Sequence, residues 1–417
     1  MIGYRCIACA TTQNDSFDGF VCPDCGGNLD IEYDYDKAAR TFPGAARGGP
    51  RDIFDYAAML PAFPDRSFPL RVGATPLYQS KRLGASLGVD RLFLKDESGN
   101  PSASIKDRAS AVALLRAINT KADVIAAAST GNAGSSLACL SAALGRKAVV
   151  FVPETAPVAK LTQLLSYGAT VLAVRGNYDA AFELCLAASG EFGWFNRNTG
   201  YNPFTREGKK TCSYEIWHAL GGEMPDRIVV ATGDGNVLSG IWKGCRDLRA
   251  MGLVESLPKI DAAQSTTSDA ISRTVDKLRR RRSKDIDWGS VKVESVSANT
   301  VADSIAVNQP RDGLAAVKAV IESGGEAVAV PDADILAAVP EMSRLAGVFP
   351  EPAAAAPLAA LKRMLADKTV DPDERVVLIV SGSGLKDVAN AAGVAGKPTV
   401  IEPTLDAVRK SLEAWPV

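Results

Sequence analysis

The residues best placed to do chemistry lie in one lysine-bearing turn, three glycine-rich loops and two cysteine pairs. Lys106 stands in Glu97-Ser98-Gly99-Asn100-Pro101-Ser102-Ala103-Ser104-Ile105-Lys106-Asp107-Arg108, after a candidate strand and at the start of a candidate helix. A cationic lysine there opposes the helix dipole, which lowers its pKa and favours the neutral amine that Schiff-base chemistry requires. The plainer reading is a surface Lys-Asp-Arg triplet at a helix start. Three turns sit where a strand passes into a helix: Ser129-Thr130-Gly131-Asn132-Ala133-Gly134, Gly233-Asp234-Gly235-Asn236-Val237 and Ser381-Gly382-Ser383-Gly384-Leu385. Glycine permits close backbone approach, and a helix N-terminus offers free amides and a positive dipole end to an anion. The second loop lacks the lysine of a P-loop and the G-x-G-x-x-G spacing, so neither familiar nucleotide site is supported.

Cys6-x-x-Cys9 and Cys22-x-x-Cys25 are separated by twelve residues. Two such pairs place four thiolates around one tetrahedral metal, each pair on a tight turn. Pro23 inside the second pair and Gly26-Gly27 after it suit that turn. The pattern reads as a zinc ribbon whose all-cysteine ligation makes the metal structural. A site that has lost its metal, or disulfides, are the lesser alternatives, the latter less expected in a chain that shows no export signal. Cys139, Cys185, Cys212 and Cys245 are scattered singly and read as small buried hydrophobes.

Composition removes several other chemistries. His218 is the one histidine, so a catalytic zinc with several histidine ligands is impossible, and a histidine-dependent triad would rest on that residue alone. Forty-seven Lys and Arg against 48 Asp and Glu leave a net charge of −1, which gives no electrostatic case for nucleic acid or an anionic membrane. The Arg279–Arg282 run reads as a solvated helix end. No stretch reaches the 18 or so consecutive apolar residues of a membrane span, and a cytoplasmic location is expected.

The elements that must position these residues alternate between strand and helix from about residue 71 onward. Candidate strands are 91–96, 124–128, 148–152, 170–174, 227–231, 260–263, 291–296, 327–330, 376–380 and 399–401. Helices are expected over 107–119, 133–144, 159–167 and 178–188. This alternation argues parallel α/β sheets, and so many strands argue two lobes with a site between them. At about 150 residues per domain the length allows roughly 2.8 domains. Pro352-Ala353-Ala354-Ala355-Ala356-Pro357 reads either as a linker or as the tightly packed start of a helix.

Taken in order, these strings resemble the fold type II pyridoxal-phosphate enzymes, and among them most closely the threonine synthases. The resemblance runs from Val72 to Asp387. It rests on Asn100-Pro101 with Ser104-Ile105-Lys106-Asp107-Arg108, on Ser129-Thr130-Gly131-Asn132, and on Lys160-x-x-Gln163 leading to Tyr167-Gly168-Ala169. Asn202-Pro203 through Glu207-Gly208-Lys209-Lys210-Thr211, Gly233–Gly240, Ala302-Asp303-Ser304-Ile305, Glu351-Pro352-Ala353 and Ser381–Asp387 continue it. The resemblance implies a two-lobed α/β fold with parallel-rich sheets flanked by helices, plus the small N-terminal zinc ribbon. Residues 1–30 would form the ribbon, 31–70 a connecting arm, 71–105 with 201–417 the large cofactor-binding lobe, and 106–200 the small lobe.

By the same resemblance Lys106 would carry pyridoxal 5'-phosphate as a Schiff base and then move protons. Asn132 would meet the cofactor's phenolic oxygen, the amides of Gly233, Asp234, Gly235, Asn236 and Val237 its phosphate, and Ser381 its pyridine nitrogen. Asp234 is unfavourable beside a phosphate unless it points away, for instance to cap the following helix. Ser104, Ser129, Thr130, Gly131 and Ala133 would bind the substrate, an amino-acid phosphate. Arg206 and Lys209, with Lys210, are the candidate cations for its phosphate, although either lysine also fits a solvated helix face. The implied reaction converts O-phospho-L-homoserine and water to L-threonine and phosphate, in a homodimer. Departures fall on the substrate side: Thr205 stands where many threonine synthases carry arginine, Pro-Ser-Ala-Ser-Ile-Lys replaces Pro-Thr-Gly-Ser-Phe-Lys, and Ser265 follows Gln264. The alternative is replacement or elimination at Cβ of another amino acid, as in cysteate synthases or serine and threonine dehydratases. A non-enzymatic homologue is disfavoured by an intact Lys106 beside all three loops.

Overall fold

The computed structural model describes residues 1–45, 49–62, 68–281 and 285–413. At the N-terminus, β1 (Gly3–Cys6), β2 (Thr12–Asn14) and β3 (Leu29–Glu32) form a small antiparallel sheet in the order β2-β1-β3. A short α1 (Tyr35–Ala39) and a 3-10 segment, Ile53–Met59, follow. Ile53, Tyr56 and Met59 are buried in the same core as Tyr4, Leu29 and Ile31, so this arm and the cysteine module pack onto the body of the molecule.

Next come β4 (Leu77–Gln79), α2 (Lys81–Leu87), β5 (Leu92–Asp96) and α3 (Lys106–Asn119). A run of β6 (Val124–Ala128), α4 (Asn132–Ala143), β7 (Lys147–Pro153), α5 (Val158–Ser166), β8 (Thr170–Val174), α6 (Tyr178–Phe192) and β9 (Phe195–Asn196) builds a four-stranded parallel sheet, ordered β8-β7-β6-β9. Then follow α7 (Phe204–Ala219), β10 (Arg227–Ala231), α8 (Asn236–Ala250), β11 (Lys259–Ser265), α9 (Ala270–Arg280) and α10 (Gly313–Ser323). The chain continues through β12 (Ala327–Val330), α11 (Asp332–Ala346), α12 (Pro352–Ala366), β13 (Val376–Val380), α13 (Val388–Ala395) and α14 (Leu405–Glu413). The larger sheet is ordered β12-β11-β10-β13-β5-β4, parallel except at the β4–β5 edge.

Strands covered on both faces read as continuous apolar runs, which is why Val-Val-Leu-Ile-Val of β13 is buried at every position. The alanine-rich string after Glu351 is a packed helix start: Pro352 occupies the first turn of α12 and Ala353–Ala356 are buried. Small side chains let α12 lie close against β10, β11, β12 and β13. Two expected strands are absent. Residues 291–296 and 399–401 have strand-like composition but pair with no neighbour. Instead, backbone amides at Glu294 and Val296 find Thr274 Oγ1 and the Asn308 carbonyl. Of the arginine run, Arg279 and Arg280 end α9 as expected, while Arg282 lies outside the described residues. No helix among the described residues is long and apolar enough to cross a membrane.

The lysine turn and the three glycine-rich loops all follow the carboxyl ends of parallel strands: β5, β6, β10 and β13. Open parallel sheets bind ligands at that edge.

Candidate active site

Lys106 is the first residue of α3, and the two residues after it are pinned. Asp107 accepts from the Ser102 amide and hydroxyl, both at 2.6 Å, closing the turn that precedes the helix. Arg108 is wholly buried and bridges Glu97 and Glu215 through bonds of 2.6 to 2.8 Å. Lys95 joins the same cluster at 2.7 Å from Glu215. The Ile105 amide donates to the Ser381 carbonyl at 2.9 Å, and Ser104 bridges to Gly382, so the lysine turn is stitched to the loop after β13. Within it, Ala103 takes a left-handed φ of 63°. The Lys106 amine has no carboxylate within 4.0 Å among the described residues. Burial lowers its pKa; Arg197 and Lys386 add to that effect, while Glu351 and Asp234 oppose it. A buried amine biased toward its neutral form is a nucleophile and a proton carrier.

Ala103 of the same turn enters the wall of a cleft of about 360 Å³. Thr130, Gly131 and Asn132 line one wall; Ser304, Glu351 and Lys386 line the other. The Asn132 side-chain amide donates to both Glu351 oxygens, at 2.8 and 3.0 Å, and to Ser304 at 3.3 Å. Burial raises the Glu351 pKa, against the pull of Asn132 and the charges of Lys106 and Lys386. Lys386 donates to the Ser102 carbonyl, Ser135 Oγ and Gln163 Oε1 within 2.9 Å. Lys160 on α5 reaches across the mouth to Asp303 at 2.6 Å.

The Gly233–Val237 loop leads into α8, with Gly235 at φ +95°. A Cβ on Gly233 would come within 2.7 Å of the Ile305 backbone, and one on Gly235 within 2.8 Å of the Asp312 carbonyl. Only glycine lets this backbone nest so closely and turn its amides outward. Asp234 does not cap α8. Its Oδ1 accepts from the Arg311 amide at 2.7 Å, while Oδ2 is buried without a hydrogen bond.

Of the expected site residues, Thr130, Gly131 and Asn132 line the cleft, with Ser129 and Ala133 beside them on the β6–α4 turn. Lys106, Ser104 and Ser381 do not line it; the stitched lysine turn and β13 loop hold them together, near enough for Glu351 on the cleft wall to act on the Lys106 charge. Arg206 does not join them. It is buried on the far side of α8, bound to Asp312, the Leu29 carbonyl and Asp30, where it fastens the cysteine module. Neither lysine of the adjacent pair is a solvated face: Lys210 pairs with Glu207 and Asp247, and Lys209 donates to Asn236 Oδ1 at 2.5 Å. His218 is buried on α7, which fits the expected structural role. Glu351, Lys160 and Lys386 lay inside recognised strings, but their part in the cleft was not readable there. Asp107 lay inside the recognised lysine string without its part being readable, and Glu97 and Glu215, which help to position the lysine, have no signature spacing.

An amine without a counter-ion, a glycine nest at a helix N-terminus, a facing side-chain amide and a hydroxyl after β13 make a donor set that fits pyridoxal phosphate. The second donor set is sulfur. Cys6, Cys9, Cys22 and Cys25 place their Sγ atoms within 4.8 Å of one another, with close pairs at 3.4 to 3.7 Å, and all are free thiols. Zinc–sulfur bonds of about 2.3 Å set tetrahedral edges of about 3.8 Å, so the cluster is compatible with zinc.

The family model described as pyridoxal-phosphate dependent enzyme matches residues 69–382, and the chain belongs to that family. Within it, the chain is similar to threonine synthases. That of Methanocaldococcus jannaschii is 34% identical over 412 residues, covering 98% of this chain and 99% of the relative. That of Mycobacterium tuberculosis is 31% identical over 341 residues, covering 81% and 89%. Among solved structures, O-ureido-L-serine synthase superimposes with a TM-score of 0.64 at 18% identity, covering 78% of this chain and 95% of that one. Threonine deaminase isoform 2 of Solanum lycopersicum gives 0.63 at 18%, covering 77% and 87%. These neighbours show the fold, that of the type II pyridoxal-phosphate enzymes.

Proposed function

We propose that the protein is a threonine synthase, converting O-phospho-L-homoserine and water to L-threonine and phosphate. The end-to-end likeness to the M. jannaschii threonine synthase carries this reading. When bound, pyridoxal phosphate supplies an electron sink for carbanions formed beside the amino-acid nitrogen. The chain supplies the rest. The Lys106 amine takes the proton from Cα, gives it up, and then takes one from Cβ, which its lowered pKa favours. Phosphate leaves from Cγ, water adds at Cβ, and the protons taken from Cα and Cβ are returned to carbon. Backbone amides of the Ser129–Gly131 turn, at the N-terminus of α4, hold the α-carboxylate. Asn132 orients the ring from its phenolic oxygen, and Ser381 offers a neutral hydroxyl to the ring nitrogen. The amides of Gly233–Val237 bind the cofactor's phosphate at the positive end of α8. The four N-terminal thiols hold one structural zinc.

A second reading is favoured by Arg206, which is turned away from the cleft, and by Thr205 in place of arginine. It is replacement or elimination at Cβ of a different phosphorylated or hydroxylated amino acid. Phosphate release from O-phospho-L-homoserine by the cofactor-loaded protein, with threonine identified as product and activity lost in Lys106→Ala, is the expected result. Release from O-phospho-L-serine but not from phosphohomoserine would reject the first reading for the second.

A further inference from the structure

Among the described residues four arginines are buried: Arg108, Arg197, Arg206 and Arg227. Three are neutralised by carboxylates. Arg108 has Glu97 and Glu215, Arg206 has Asp312 and Asp30, and Arg227 has Asp261 and Glu374. Arg197 has none within 4.0 Å among the described residues, although its side chain is wholly inaccessible. Its Nε donates to Ser110 Oγ at 3.0 Å and its Nη1 to Thr199 Oγ1 at 2.8 Å, while Nη2 is buried with no acceptor. The buried lysines divide the same way. Lys95, Lys210 and Lys243 are ion-paired, whereas Lys209 meets only the Asn236 side-chain oxygen.

These two basic side chains without an ion pair belong to one neighbourhood. Ser110 is one helical turn along α3 from Lys106. Thr199 precedes Gly200, where a Cβ would come within 2.9 Å of Asp234 Oδ2 in the glycine nest. Asn236, the partner of Lys209, is the first residue of α8 in that nest. Burial, then the charges of Lys106 and Arg197, push the Lys209 pKa far down. A guanidinium cannot escape by giving up its proton at neutral pH, and burying a charge without a counter-ion costs several kcal/mol. Such an arrangement persists where an anion completes it.

We propose that Arg197 and Lys209 form a receptor for a phosphate monoester dianion beneath Lys106. The unpaired Arg197 Nη2 gives the directional contact, and the Lys209 amine a second donor whose proton the anion's charge would stabilise. The proposal rests on this being the cofactor cleft, and the phosphate has two possible sources: the cofactor itself, or the substrate and the phosphate it releases.

The test uses full-length Arg197→Met, Arg197→Lys and Lys209→Met proteins, with folding checked by circular dichroism. Pyridoxal 5'-phosphate and phosphate-free pyridoxal are titrated by visible absorbance. Inorganic phosphate is titrated into the cofactor-loaded protein by calorimetry. A loss of roughly tenfold or more for pyridoxal 5'-phosphate, with pyridoxal unaffected, assigns the receptor to the cofactor. A like loss for inorganic phosphate alone assigns it to the substrate. Arg197→Lys should recover part of either loss. A folded Arg197→Met protein that binds both with wild-type affinity overturns the proposal. If Arg197→Met does not fold, unchanged affinities in Arg197→Lys and Lys209→Met together overturn it. None of these readouts requires turnover, so failure to convert phosphohomoserine would reject the proposed reaction without touching this site.

Discussion

Asp234 puts a carboxylate in the loop assigned to the cofactor's phosphate. Burial, reinforced by the charge of Asp312, pushes it from the ordinary 3.8 up to about 7. From about pH 4 to about pH 7 the folded protein keeps a proton that the unfolded chain has released, so this group's contribution to stability falls as pH rises through that window. The deficit is complete above pH 7 or so and absent at the acid end. Asp234→Asn should therefore melt above the cofactor-free wild type at pH 8 and converge with it near pH 4. Thermal denaturation across that range decides it, and an offset independent of pH rejects the assignment. A proton on Asp234 also removes a repulsion from an arriving phosphate, so pyridoxal 5'-phosphate affinity should fall less steeply above neutral pH in the variant.

At the level of elements, α3 is held by charge at its N-terminal turn. Arg108→Met leaves Glu97 and Glu215 buried with only Lys95 between them, and removing one partner of a buried pair costs about 3–5 kcal/mol. Urea denaturation should show that loss, together with weaker cofactor retention, because the same turn carries Lys106. Ala103 is the opposite case. Its φ of 63° is a conformation that glycine adopts freely, so Ala103→Gly should stabilise the protein by up to about 1 kcal/mol in the same assay. Much of this architecture was legible. Strands β6, β8, β10, β12 and β13 fell where expected because each is a short apolar run ending at a glycine loop or a helix start. Composition without a partner misled at 291–296, since a strand is defined by its neighbour. β9 was missed because two residues carry no period. The loops were readable from spacing. Arg197, among asparagines, and Glu215, among apolar neighbours, were not, because a single charge has no pattern until the fold shows what it faces.

Across the whole molecule the cysteine module is fastened to the same helices that frame the cofactor cleft. The Leu29 and Ile31 carbonyls take bonds from Arg206 and Lys243, and the hydroxyls of Tyr33 and Tyr35 reach Glu207 and Asp247. Stripping the metal with a chelator should lower the melting temperature and release one zinc per chain. A protein that holds no zinc and melts unchanged would sink that assignment. Lys106 and the β10 loop lie far apart in sequence, yet both depend on β13, which sits between β5 and β10 in the larger sheet. Among the described strands of the two larger sheets, β13 is translated last. Until residue 380 is made, the edge formed by β4 and β5 has no shared neighbour with β10–β12, while the four-stranded sheet is already complete. Lys106 and the Gly233–Val237 loop are thus brought into register by the strand of the larger sheet that is translated last, so a nascent chain lacking it cannot hold the two in place.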